Sequence, residues 1–556
     1  MTRNSAADSS PHAGNTYEAL VIGAGFAGLG MLWQLKEMNV SAHCFEAGTD
    51  VGGTWYWNKY PGARTDSEAW YYCFSFSSEL NQEWKWKERY PSQKEVRSYL
   101  SHVAERYSLK EHITFRTRVT KATYDESEKL WTVVTDRGEE YKAKYLISAM
   151  GILSSAFVPP WPGFGDFKGR HYLTAQWPKT PPDFHGRRVG LIGTGATGVQ
   201  ITPHLAEECA RLTVFQRTPN YVVEAQNHAL TDHFLADIKS KYPEIWRQVD
   251  RHAFAMPFEV TGRVHRDFTA EERNEIFEEG WRRGGFRFLF ETFDDLLVDK
   301  EANEAASEFI RNKIRSIVKD KKTAELLCPN GYPYGSKRPP AGHGYYETFN
   351  RDNVELVDIS KNEITRILPE GIELKNGTKY ELDDIVIATG FDAFTGALVN
   401  VDIRGKSGVS LADKWRDGPR TLFGVATNGF PNLFMITGPL STFGNVPSTI
   451  ESNIRWICGA ISYLKSNKLE AMEVNEHAED AWVKTTQEAV DATLISEGAR
   501  ANSWILGANI PGKKHVPVAF LGGYNNYVDM MRAECEEYPS FSFEPQQEKS
   551  HVQAQR

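Results

Sequence analysis

Ala19-Leu20-Val21-Ile22-Gly23-Ala24-Gly25-Phe26-Ala27-Gly28 returns in pattern as Val189-Gly190-Leu191-Ile192-Gly193-Thr194-Gly195-Ala196-Thr197-Gly198. Each stretch is an apolar strand running into glycine-spaced residues and then a helical segment, the start of a strand-turn-helix-strand unit. The glycines allow a sharp turn and a close backbone approach, so that the first amides of the helix face an anion such as a pyrophosphate. One such fingerprint is weak evidence; two in matching contexts predict two dinucleotide-binding units.

Both copies also end alike. Trp131-Thr132-Val133-Val134, a turn at Asp136-Arg137-Gly138 and the strand Tyr145-Leu146-Ile147 lead to Gly151. Ile372-Glu373-Leu374, a turn at Asn376-Gly377 and Ile385-Val386-Ile387 lead to Gly390. The Asn-Gly pair predicts a two-residue hairpin of type I′, with both residues at positive φ. The expected fold class is α/β: two Rossmann-like domains, each with an inserted β-hairpin region, plus a helical insertion in the second. The boundaries read as 16–150 with 391–545 for the first domain, 151–225 with 335–390 for the second, and 226–334 for the insertion. Residues 1–15 and 546–556 read as flexible ends.

The 556-residue chain exceeds what one core supports, and its 41% hydrophobic and 25% charged residues are ordinary for a globular protein. No run is long and apolar enough for a spanning helix, and the polar N-terminus lacks a signal-peptide core, so a cytoplasmic location is expected. A net charge of −9 without a basic run makes nucleic acid a poor partner. Cys44, Cys73, Cys209, Cys328, Cys458 and Cys535 lie far apart, with no spacing for a zinc site or redox disulfide. No metal is expected, and nothing in the sequence fixes an oligomeric state.

The residue ending the second strand of such a unit meets the adenosine ribose. In the first copy it is Glu46, whose carboxylate accepts from ribose hydroxyls and repels a 2′-phosphate, which suits FAD. Its counterpart, equally spaced from Gly193, is Gln216, followed by Arg217 and Thr218. A cation and a hydroxyl there suit the 2′-phosphate of NADPH.

Further motifs narrow the reading. Gly52-Gly53-Thr54-Trp55, Tyr60-Pro61-Gly62 through Asp66, Phe167-Lys168-Gly169 with Trp177-Pro178, Ala388-Thr389-Gly390-Phe391-Asp392, and Ser503-Trp504 through Lys513 follow one another along nearly the whole chain. In this order they resemble the type I Baeyer–Villiger monooxygenases. One position departs from the family fingerprint F-x-G-x-x-x-H-x-x-x-W-P/D: Leu173 stands where a histidine is expected, with His171 two residues earlier on the same face of an extended segment.

The resemblance implies that NADPH reduces FAD, that oxygen adds to give a C4a-peroxyflavin, and that its anion attacks a ketone to yield an ester or lactone. Arg338 matches the active-site arginine, a permanent cation suited to a peroxide and a developing oxyanion. Asp66 matches the carboxylate paired with it, and Lys337 a residue that binds the NADPH phosphate. The residues expected at the cofactors are Gly23, Gly25, Phe26, Gly28, Glu46, Gly53, Thr54, Trp55, Arg64, Asp66, Tyr72, Gly193, Thr194, Gly195, Thr197, Gly198, Gln200, Arg217, Thr218, Lys337 and Trp504. Gly438 to Phe443 corresponds to the segment lining the ketone pocket. Three other readings stay open: an oxygenase of sulfur or nitrogen, a disulfide reductase of the same double fold, and a non-catalytic flavin-bound sensor.

Overall fold

A computed structural model describes residues 15–546. The expected flexible ends lie outside the described residues, except for Asn15 and Gln546. Asn15 donates to the carbonyl of Glu140, and the amide of Gln546 donates to that of Lys468.

Each glycine turn sits at the carboxyl edge of a parallel sheet. In the first sheet the strands Leu433–Met435, Glu140–Ser148, Thr16–Ile22, Ala42–Glu46 and Ile113–Phe115 run side by side in parallel. In the second, Arg170–Leu173, Asp384–Ile387, Arg188–Ile192, Arg211–Gln216 and Val354–Asp358 do the same. Position by position the two orders match, so the duplication seen in the glycine turns extends to five strands. The edge strands break the symmetry of the chain: Leu433–Met435 arrives long after the first unit, whereas Arg170–Leu173 precedes the second.

Both hairpins form, but not through a type I′ turn. Gly377 alone is at positive φ (84°), its amide donates to the carbonyl of Leu374, and Leu374 donates to Thr378. Gly138 (φ 77°) closes Thr135–Glu139 with the same two bonds. Each is a type I turn closed by a left-handed glycine, the three-residue hairpin loop, and the Asn-Gly pair serves only through its glycine. The first hairpin continues into the large sheet through Glu140–Ser148; the second stays in a separate three-stranded sheet, Ile364–Leu368, Gly371–Leu374 and Lys379–Glu381.

The chain beyond Gly390 returns to the first unit. Asp402–Arg404 pairs with Val119–Asp125, and the helix Val446–Ser466 lies on the helix Phe26–Glu37 so closely that a Cβ at Gly30 would sit 2.9 Å from Ile454 Cδ1. Residues 226–334 are helical, yet they divide between two cores. Leu235, Tyr242, Ile245 and Val249 of the helix Asp232–Arg251 join the core of the first unit. Phe277, Phe288, Ile310 and Ile314 join that of the second. The insertion, placed within the second unit in the chain, therefore packs on both units. Among the described residues no helix is long and apolar enough to cross a membrane.

Candidate active site

The first glycine turn is built by exclusion. Gly23 has φ 103°, and a Cβ there would lie 2.5 Å from the carbonyl oxygen of Ala149; one at Gly28 would meet the carbonyl of Gly23. Gly25 ends against Gly53, each leaving room only for the other's Cα. Gly25 caps the helix Phe26–Glu37 without a side chain, so the first amides of that helix stay open for an anion. Glu46, 4% exposed, accepts from the amides of Ala24 (2.8 Å) and Gly48 (2.6 Å). Burial pushes its carboxyl up against those two bonds, and its oxygens keep lone pairs for further donors. Thr54 starts the short helix Thr54–Trp57, and Tyr72 stands edge-on to Trp55 and Phe26, with centroids 5.7 and 5.5 Å away.

The second turn repeats this plan with one difference. Gly193 (φ 111°) packs against the carbonyl of Ala388 and Gly198 against that of Gly193, but a Cβ at Gly195 would meet nothing within 4 Å. That space opens over the uncapped start of the helix Ala196–Glu208. Gln216, the counterpart of Glu46, is turned inward and donates to the carbonyl of Leu326. That leaves Arg217 and Thr218 as the polar side chains next along the strand end. Arg217 is exposed and makes no ion pair among the described residues. Lys337 faces it; burial, then the Arg217 charge, lower the Lys337 ammonium to about 8. Two interacting cations, neither of them in an ion pair among the described residues, fit a phosphate dianion. Thr194 donates to the carbonyl of Thr218, whose hydroxyl accepts from Asn502 at 3.3 Å.

Next to Lys337 along the chain, Arg338 donates through Nη2 to Asp66 Oδ2 at 2.6 Å. Asp66 comes from the segment that starts at Gly53, so the pair ties one glycine turn to the other. Its side chain is 3% exposed against 30% for Arg338. Burial pushes the Asp66 carboxyl up while Arg338 opposes it, and Oδ1 has no partner among the described residues. On its other side the Arg338 guanidinium lies 5.8 Å from the ring centre of Phe286, a cation–π contact. From Phe286 a chain of half-buried aromatics runs through Phe290, Phe254 and Phe443 to Trp504, with successive centroids 6.2, 4.6, 6.4 and 5.6 Å apart. Such a row of half-exposed aromatics leading from a fixed cation is a candidate wall for an apolar ligand. Phe254, Phe286 and Phe290 carried no signal in the motifs; the run Phe286-Arg287-Phe288-Leu289-Phe290 was the one hint available.

Two expected cofactor residues have protein partners. Arg64 donates to Glu88 Oε2 (2.9 Å) and to the carbonyl of Tyr90 (3.1 Å). Gln200 is 6% exposed, and its amide is shared between Tyr60 and the backbone of Arg64.

A family model described as flavin-binding monooxygenase-like matches residues 17–233. The Baeyer–Villiger monooxygenase of Pseudooceanicola batsensis is 43% identical over 526 residues, which are 94% of this chain and 95% of that protein. The chain belongs to the type I Baeyer–Villiger monooxygenases. Among solved structures of the family, a closed crystal structure of cyclohexanone monooxygenase superposes with a TM-score of 0.93 at 43% identity, covering 96% of this chain and 99% of the other. A structure of OTEMO in complex with FAD and NADP superposes with a TM-score of 0.91 at 38% identity, covering 95% and 99%.

Within the family fingerprint, Leu173 stands opposite Ile387, the last residue of its neighbouring strand, at the carboxyl edge where ligands bind. It packs into the core with Phe167 and Ile192. His171 pairs two residues back, opposite Ile385, exposed and edge-on to Phe164. That is about 6–7 Å from the edge, so the strand does not carry this imidazole to where the family places one. Membership of this family, not of the disulfide reductases, sets aside the disulfide-reductase reading.

Proposed function

We propose that this chain binds FAD on the Gly23–Gly28 turn and NADPH on the Gly193–Gly198 turn, and inserts one oxygen atom of O2 beside the carbonyl of an apolar ketone to give an ester or lactone. When bound, FAD reduced by NADPH supplies the activation of oxygen. The protein side chains do the rest.

The Arg338–Asp66 pair carries the reading. Attack on a ketone places negative charge on the former carbonyl oxygen, and a fixed cation lowers the energy of that state most where water is excluded. A guanidinium holds its proton throughout, so Arg338 stabilises the anion without neutralising the attacking species. Asp66, bound through one oxygen, fixes the direction of the fork and moderates its charge. The wall from Phe286 to Trp504 receives the apolar body of the ketone and keeps water from Arg338. Arg217, Lys337 and Thr218 take the 2′-phosphate. A cytoplasmic location belongs to the same proposal, since six unpaired cysteines suit a reducing compartment.

A ketone panel tests this. Cyclic and aryl ketones should accelerate NADPH consumption and yield esters, and short polar ketones much less. Oxidation of a thioether with no ester from any ketone would contradict it.

A further inference from the structure

Both ends of the Gln200 side-chain amide are hydrogen-bonded to the first unit. Its oxygen accepts from the Tyr60 hydroxyl at 2.8 Å, and its nitrogen donates to the carbonyl of Arg64 at 3.0 Å. Gln200 lies on the helix Ala196–Glu208, one turn in from the uncapped end proposed to hold the NADPH pyrophosphate. Tyr60 and Arg64 lie in the segment of the first unit that ends at Asp66. A second, backbone feature fastens the same two elements: Gly62 (φ 85°) rests on the helix so closely that a Cβ would come 2.3 Å from the carbonyl oxygen of Gln200 and 2.5 Å from His204 Cδ2. Tyr60 is buried and its phenol is raised to about 12, by burial first and with Asp66 adding to it. It therefore stays a neutral donor across the working pH range.

We infer that Gln200 is a positioning residue: through Tyr60 and the Arg64 carbonyl it locks the Asp66 segment of the first unit to the nucleotide helix of the second, and so sets the geometry of the Asp66–Arg338 pair. The inference rests on the NADPH assignment of the second turn. Asp66 and Arg338 come from different units, so their contact needs the units in register, and small displacements of a reacting geometry cost rate steeply. The Gln200 amide is the neutral fastening beside that charged one. Glutamate cannot replace it, because a carboxylate would confront the Arg64 carbonyl with no proton to give.

The test uses FAD-loaded protein with Gln200→Leu, Gln200→Glu, Tyr60→Phe and the double substitution Tyr60→Phe/Gln200→Leu. Stopped-flow reduction of the flavin by NADPH should slow about 5- to 30-fold in Gln200→Leu, the worth of one or two ordinary hydrogen bonds. NADPH affinity and FAD content should stay within twofold. Tyr60→Phe should share the defect, and the double variant should be no slower than Gln200→Leu, because both act through one bridge. Gln200→Glu should not restore the rate. Independently of turnover, hydrogen exchange over residues 58–66 should slow when NADP+ binds the parent and lose that response in Gln200→Leu. Weakened NADPH binding with an unchanged reduction rate and a silent Tyr60→Phe would make Gln200 a direct ligand and overturn the inference. A lowered melting temperature with normal reduction kinetics would overturn it too, by reducing the bridge to a stability contact. Failure of the Baeyer–Villiger reading would show separately, as a parent enzyme that is reduced normally but yields no ester.

Discussion

Raising the pH from 7 to 9 should weaken NADPH binding about tenfold and leave NADH binding unchanged. The Lys337 ammonium is held at about 8 by burial and by Arg217, against an ordinary value of about 10.4. In the free enzyme about nine-tenths of Lys337 is charged at pH 7, and about one-tenth at pH 9. A bound 2′-phosphate, dianionic above its second pKa near 6, restores the lysine's higher pKa, so the complex keeps its proton through this range. Binding therefore takes up a proton above pH 8, and the ratio of charged fractions gives the tenfold loss, about 1.4 kcal/mol. Titration calorimetry with NADP+ and NAD+ at several pH values reads it directly, and buffers of different ionisation heat count the proton. Lys337→Arg should flatten the dependence, because a guanidinium does not titrate here. An NADP+ dissociation constant that does not move between pH 7 and 9, or one that moves equally for NAD+, would refute the reasoning.

Three substitutions separate the parts of the site. Arg338→Lys should leave FAD bound and NADPH oxidation measurable but cut ester formation roughly 100-fold or more, since a point charge cannot keep the directed contact to Asp66 and the oxyanion together; product chromatography checks it. Gly195→Ala, at an extended φ of −77° with open space around the added methyl, should leave the melting temperature alone and raise the NADPH concentration needed for half-maximal reduction at least tenfold, because the methyl enters the pyrophosphate's space. Glu46→Gln sets an amide NH2 against the amide of Ala24 or Gly48 and should cost about 1–3 kcal/mol of stability with loss of FAD, measured by denaturant titration and flavin release.

The glycine turns were legible because their requirement is local: positive φ at Gly23 and Gly193, and no room for a Cβ. Glu46 was legible for the same reason. Its bond to Ala24 was not, because it depends on the strands Thr16–Ile22 and Ala42–Glu46 lying side by side. The outer strands Leu433–Met435 and Arg170–Leu173 join their sheets across long stretches of chain, and apolar periodicity says nothing about such partners. The same limit hid the division of the insertion between two cores. It also hid the aromatic wall, where Phe286 and Trp504 are far apart in sequence. Gln200, one turn past a glycine fingerprint, reads as a cofactor contact, and spacing from the motif does not reveal that its amide also bonds Tyr60 and Arg64 across the unit boundary. Asn376-Gly377 made its hairpin by another turn, because one left-handed glycine suffices for a three-residue loop.

The central claim is that oxygen from O2 enters a ketone beside its carbonyl, at the Arg338–Asp66 pair. Mass spectrometry of the product from a cyclic ketone, FAD-loaded enzyme, NADPH and ¹⁸O2 tests it most directly. The account predicts a lactone carrying one ¹⁸O atom, formed one for one with NADPH consumed and lost in Arg338→Lys. NADPH consumption that ends only in hydrogen peroxide, with no labelled lactone from any cyclic ketone, would contradict it.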